Sequence, residues 1–112
     1  MRNDLNMRKG KMVAQGSHAS VLAYKAAERE EETTADARKW FCEGMKKICV
    51  RCDSEAELLS IERQALADNL PVVVVTDAGH TEFQGVPTKT CLAIGPGPAE
   101  DIDKITGKLK LL

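Results

Sequence analysis

Aromatic residues are scarce in this chain: one Trp, one Tyr and two Phe, 4% of the 112 residues. So few rings exclude a stacking platform for single-stranded bases. Neither sign of charge prevails, with 16 basic against 17 acidic residues and a formal net charge of −1. Any attraction for a polyanion must therefore come from how charge is placed, not from its sum. No apolar run reaches the roughly 18 residues that a bilayer span requires. The first residues also lack the hydrophobic segment of a signal peptide, so the expectation is a cytoplasmic protein with no membrane partner. Internal repeats and low-complexity linkers are missing too. Four cysteines are present, but not in a metal or redox pattern. In "KKICVRC", Ile48, Val50 and Cys52 alternate with Lys47, Cys49 and Arg51, the period of a half-buried strand. Positions three apart on a strand face opposite ways, so Cys49 and Cys52 do not converge. Cys42 and Cys91 have no partner spacing either, and all four read as reduced, mainly packing residues, with no metal site.

What is present is an ordinary globular composition, 43% hydrophobic and 29% charged, in a length that suits one domain over residues 1–112. The pattern predicts alternating helices and strands. A helix from about Lys11 to Arg29 carries a small-residue stripe, Met12, Gly16, Ala19, Ala23 and Ala26, suited to lying close on a sheet. A short helix over Ala35 to Glu43 stops at Gly44, and a strand covers Lys47 to Cys52. "SEAE" reads as a capping box, with Ser54 as N-cap and Glu57 three residues on, opening a helix to about Asn69. The β-branched run "VVVVT" after Pro71 predicts a central strand covered on both faces. "TCLAIG" supplies a further strand, and "AEDIDKITG" a short helix. The fold class is α/β, with helices on both sides of a largely buried sheet.

Charge and polarity single out one region. Arg2, Arg8, Lys9 and Lys11 lie near the start and Lys104, Lys108 and Lys110 near the end, whereas Glu28 to Glu32 concentrate acid between them. A helix beginning in positive charge opposes its own macrodipole, which points to an anionic partner at that end. Lys11, Gln15, His18 and Leu22 share one side of the first helix, at spacings of four, three and four. A lone His there would be an ordinary structural residue, but three aligned polar groups suggest a site. Asp77 ends the buried strand, where ligands of open α/β sheets bind. It reads equally as a turn residue bonding its own loop backbone. Thr81 and Thr90 bracket the following loop and offer hydroxyls. "GPGP" reads as turn geometry, since Glu100 and Asp101 after it would repel phosphate.

The segments "RNDLNMRKGKMVAQGSHAS", "LPVVVVTDAGHTE" and "CLAIGPGPAEDIDKITGKLKLL" resemble the peptidyl-tRNA hydrolases of the archaeal and eukaryotic type, across nearly the whole chain. The resemblance implies a three-layer α/β/α single domain with a mixed, about four-stranded sheet, often dimeric. It also implies metal-independent hydrolysis of the ester between a peptide and the terminal ribose of tRNA, without a cofactor. The proposed active-site residues of that family fall at Lys11, Gln15, His18, Asp77, Thr81 and Thr90. Family members carry a strand of about five or six residues before "RNDL" that this chain lacks, so the first strand is expected to be truncated or the sheet completed otherwise. Arg8 and His80 also depart from common family residues.

The chemistry suggests a division of roles. Ester hydrolysis needs a positioned water, stabilisation of the oxyanion and a proton for the leaving oxygen. Asp77, with His18, is expected to orient or deprotonate water, and Lys11 to stabilise negative charge. Gln15, Thr81 and Thr90 would position the substrate, while Arg8, Lys9 and Lys108 hold tRNA phosphates. A non-catalytic tRNA-binding or adaptor module of the same fold is the alternative, although it would have no need of Lys11, His18 and Asp77 together.

Overall fold

A computed structural model describes residues 1–112. Its elements are α1 (Lys9–Arg29), α2 (Glu31–Cys42), α3 (Glu55–Ala67), β1 (Val72–Asp77), β2 (Thr88–Ile94) and α4 (Ala99–Thr106). β1 and β2 pair antiparallel, from Val72 opposite Ile94 to Asp77 opposite Thr88. Their side chains alternate across the pair. Val72, Val74, Leu92 and Ile94 pack on a core built from Leu58, Ile61 and Ala65 of α3, Ile105 of α4, Cys52 and Leu70. Val75, Cys91 and Ala93 meet Ala19 of α1 instead.

That two-sided burial accounts for the unbroken valine run, but the expectation of a central strand is corrected. β1 has β2 as its single strand partner and is a sheet edge. Apolar residues on both faces report cover by helices, and carry no information about strands to either side.

The strand expected over residues 47–52 is also corrected. Only Val50 and Cys52 form bridges there, antiparallel to Leu111 and parallel to Arg2 respectively. Arg2 N–H donates to the Thr90 carbonyl, Asn3 N–H to that of Cys52, and Cys52 N–H to that of Met1. Backbone bonds thus run from β2 through residues 1–3 and 50–52 to residues 110–112. Single bridges take the place of strands in these segments. Cys52 points into the core while Cys49 is exposed, and Cys42 is exposed and Cys91 buried. The opposite directions of Cys49 and Cys52 are those the alternation predicts.

Helix α1 buries Gln15, Ala19, Ala23 and Ala27. The expected stripe is right in its middle and wrong at its end, because Ala27 is buried in place of Ala26. A line advancing by four winds slowly round the helix, and here it turns from the sheet toward α2, which presents its buried Ala37. Tyr24 lies against Trp40 and Phe41 at centroid distances of 6.0 and 5.5 Å. α2 starts at Glu31, four residues before the expected Ala35. Glu31 and Glu32 suit the positive end of its dipole, so the acidic run extends the helix rather than preceding it. At α3, Ser54 Oγ accepts the Glu57 N–H at 3.0 Å, the cap that the sequence predicts.

Candidate active site

The site lies where the carboxyl end of β1 meets the first turns of α1. A register irregularity falls there: Val75 opposes Cys91 but Thr76 opposes Lys89, so Thr90 is an extra residue in β2. Such a bulge re-aims side chains. Thr90 and Cys91, though consecutive, both reach α1: Thr90 Oγ1 donates to Gln15 Oε1, and Cys91 Sγ to the Gln15 carbonyl. Thr90 is fully buried and Gln15 only 3% exposed.

Gln15 continues the chain of contacts. Its Nε2 donates to Asp77 Oδ1 at 3.2 Å. Lys11, one turn earlier on α1, donates to the same Oδ1 at 2.8 Å and to Thr81 Oγ1 at 2.8 Å. The ammonium also lies 5.8 Å from the centre of the Phe83 ring. Asp77 Oδ2 accepts the Gly79 N–H at 2.8 Å. The turn reading of Asp77 therefore holds for Oδ2, while Oδ1 joins α1 to the sheet. Gly79 has φ of +85°, and a Cβ there would lie 2.4 Å from the Val86 carbonyl oxygen. Only glycine lets the two ends of this loop approach so closely.

The Lys11 hydrogen bond, helped by the Gly79 N–H and by Gln15, holds the Asp77 carboxyl below its usual range against an opposing desolvation. The carboxylate stays charged at neutral pH. An ammonium has three donors, and two of those on Lys11 are engaged within the chain, leaving one for a ligand. Gln15 Nε2 likewise keeps a second hydrogen. One fixed carboxylate with two donors beside it can hold a water and an acyl oxygen together.

Of the residues expected at a site, Lys11, Gln15, Asp77, Thr81 and Thr90 are brought together in one connected network. His18 is not in it: it is exposed, and lines a groove with Ser17, Val21, Leu22, Val74, Val75 and Thr76. Arg8 has a 91% exposed side chain, 4.0 Å from Glu82, and Lys9 is exposed beside it. Lys108 stands elsewhere, around an opening with Arg51, Asp53, Glu57, Leu109 and Lys110. Gly79 supplies the loop-backbone N–H that the turn reading of Asp77 expects. Sequence reasoning missed Phe83 as a neighbour of Lys11, which nothing local marks.

A family model described as peptidyl-tRNA hydrolase PTH2 matches residues 1–112. Among similar proteins, the peptidyl-tRNA hydrolase of Methanocaldococcus jannaschii is 49% identical over 112 residues, which is 100% of this chain and 95% of that protein. The peptidyl-tRNA hydrolase of Methanothermobacter thermautotrophicus is 46% identical over the same extent, again 95% of its length. The probable peptidyl-tRNA hydrolase 2 of Drosophila melanogaster is 46% identical over 112 residues, although this chain spans only 59% of it. Matched from its first residue to its last by one family model, and close to half identical to a relative of nearly equal extent, the chain belongs to the peptidyl-tRNA hydrolase PTH2 family.

Proposed function

We propose that Lys11, Gln15, Asp77, Thr81 and Thr90 form the hydrolytic centre with which this chain cleaves the ester of peptidyl-tRNA, releasing peptide and free tRNA. The observation that carries the reading is the continuous hydrogen-bonded line Thr81–Lys11–Asp77–Gln15–Thr90. A module that only gripped tRNA would gain nothing from a carboxylate fixed at its centre.

In this reading Asp77 aligns the attacking water. A carboxylate held below its usual range is a weak base toward free water, and takes the proton only as the new C–O bond forms and that water becomes strongly acidic. The free donors of Lys11 and Gln15 stabilise the oxyanion. As the ester C–O bond breaks, Lys11 gives a proton to the ribose oxygen, and Asp77 returns one to Lys11 across their 2.8 Å contact. One water is consumed, and the acid and the alcohol leave. His18, exposed next to this centre, contacts the substrate.

Residues 1–112 act as one peptidyl-tRNA hydrolase domain. Residues 1–3, 50–52 and 110–112 serve as reduced strands that complete a mixed sheet, between α1 and α2 on one side and α3 and α4 on the other, as a three-layer α/β/α domain. Arg8, Lys9 and Lys108 hold tRNA phosphates. A homodimer is compatible with the apolar surface exposed at Phe41, Ile48 and Leu111. The substrate places the enzyme in the cytoplasm beside translation. The test is single-turnover release of peptide from purified peptidyl-tRNA. Turnover is expected with the parent, unchanged by a chelator, and lost with folded Asp77→Ala. Equal rates for parent and variant would overturn the assignment of this centre.

A further inference from the structure

We propose that the groove between α1 and the free edge of β1 receives the peptide of the substrate, which adds to β1 as a further strand. The inference rests on the hydrolytic reading above and assigns the path of the substrate's acyl part.

The groove has a volume of about 420 Å³ and is lined by Ser17, His18, Val21 and Leu22 of α1 and by Val74, Val75 and Thr76 of β1. It is continuous with the hydrolytic centre on both walls. Thr76 directly precedes Asp77, and His18 lies one helical turn beyond Gln15. A peptide whose esterified carbonyl sits at Lys11 and Asp77 is therefore delivered to this groove by its own covalent bond. The loop carrying Thr81 and Phe83 stands over Lys11 at the opposite side, with Thr81 bonded to it. The groove along the β1 edge lies further along α1, at Ser17–Leu22.

The edge is also chemically suited. The outward N–H and C=O groups of Val72–Asp77 have no backbone partner beyond β2. Unpaired edges take up extended peptides through main-chain bonds. At about 3.3 Å per residue the six residues of β1 offer some 20 Å, and the walled part, Val74–Thr76, suits about three peptide residues. Val21 and Leu22 stand exposed on the outer wall. They give apolar contact to alternate side chains without a closed pocket that would select one. A hydrolase of peptidyl-tRNA meets peptides of every sequence, and recognition through backbone bonds on a shallow apolar wall is the form of binding least sensitive to sequence.

The test uses adenosine carrying N-acetylalanine or N-acetyltetraalanine through a 3′-amide, which is not hydrolysed as the ester is. Dissociation constants are measured for the parent, Leu22→Glu and Val21→Glu, each checked by a thermal melt. The parent is expected to bind the tetrapeptide analogue at least about tenfold more tightly than the short one, from the apolar area and main-chain bonds added. In Leu22→Glu that ratio should shrink below about threefold, since a charge replaces buried apolar contact. Replacing the second and third amides of the tetrapeptide by esters should weaken its binding to the parent. Equal affinities for the two analogues in the parent, or a ratio unchanged in both glutamate variants, would overturn the proposal. So would a parent dimer that Leu22→Glu dissociates with no length effect, because the groove would then be covered by a second copy. Hydrolysis is scored separately on peptidyl-tRNA. A length-dependent affinity in a protein without turnover would refute the hydrolytic reading while leaving the groove assigned.

Discussion

Lys11 and Asp77, 66 positions apart in the chain, meet at 2.8 Å with side chains only 14% exposed. This contact joins the first helix to the end of β1, and it sets both charge and position at the site. Asp77→Ala is expected to lower single-turnover peptide release by about 100- to 10,000-fold, the usual worth of general acid–base assistance. Removing a negative group should leave tRNA affinity equal or slightly higher. Lys11→Ala should reduce release as well and destabilise the fold by about 1–3 kcal/mol, because a part-buried carboxylate loses its main donor. The double variant should be little slower than the slower single one, as expected for residues acting as a unit. Additive losses would separate their roles.

Acid should reach this contact late. The Asp77 carboxyl is held below its ordinary 3.8, first by Lys11. Its contribution to stability is present above the unfolded value and is lost only as pH falls through the lower folded value. A carboxyl carbon resonance of Asp77 followed by NMR should therefore titrate below 3.8 in the parent and move upward in Lys11→Met. A titration at the same pH in both proteins would mean that Lys11 does not set it.

Gly79→Ala should disable the enzyme without touching a catalytic group. Its φ of +85° is unfavourable for alanine, and a Cβ would fall 2.4 Å from the Val86 carbonyl oxygen. The left-handed conformation alone costs about 1–2 kcal/mol, and relief of the clash would shift the loop that holds Asp77 Oδ2 and Thr81. A lower melting temperature together with reduced release is expected. Full activity would show that the loop need not be held.

Much of this architecture was legible because local chemistry and packing agree. The Ser54 cap, the small-residue side of α1 and the valine run each specify an element, and each element forms. Polar side chains at helical spacing, with an Asp at a strand end, were enough to bring Lys11, Gln15 and Asp77 under suspicion. Three features lay beyond that signal. The place of β1 at an edge depends on which segments pair, and two-sided apolar burial does not report it. The bridges at Val50 and Cys52 depend on which distant segments, around Arg2 and Leu111, lie beside them, a long-range circumstance. The separation of His18 from the network depends on distance along the helix. At 100° and 1.5 Å per residue, His18 points within about 20° of Lys11 but lies about 10 Å further along α1, beside the groove and not at the sheet end.

Binding of tRNA should be strongly salt-dependent. Arg8 and Lys9 are exposed at the start of α1, which has no acidic residue in its first turn. Lys108 lies near Arg51 and Lys110, in a cluster tempered by Asp53 and Glu57. The affinity should fall log-linearly with salt, and each of Arg8→Ala, Lys9→Ala and Lys108→Ala should reduce the slope by about one. A slope unaffected by Lys108→Ala would confine the tRNA contact to the α1 end.

The buried end of the network makes the last prediction. Thr90 is the extra residue of the β2 bulge, and its hydroxyl is the donor that Gln15 Oε1 accepts. This bond fixes which end of the Gln15 amide faces Asp77, so that Nε2 and not Oε1 points at the carboxylate. Thr90→Val keeps the shape and removes the donor. The buried Gln15 oxygen then goes unsatisfied, at about 1–3 kcal/mol. The amide is then anchored only by its Nε2–Asp77 bond and can swing out of line with the carboxylate. Release should drop by about tenfold through the chemical step, with tRNA affinity unchanged, because Thr90 lies beneath the surface that meets phosphate. Thr90→Ser retains the hydroxyl and should restore most of the rate, at a small cost from the lost methyl. If Thr90→Val is slow and Thr90→Ser is equally slow, the bulge serves packing alone. Recovery in the serine variant would establish that the hydroxyl orients Gln15, and through it Asp77, for hydrolysis.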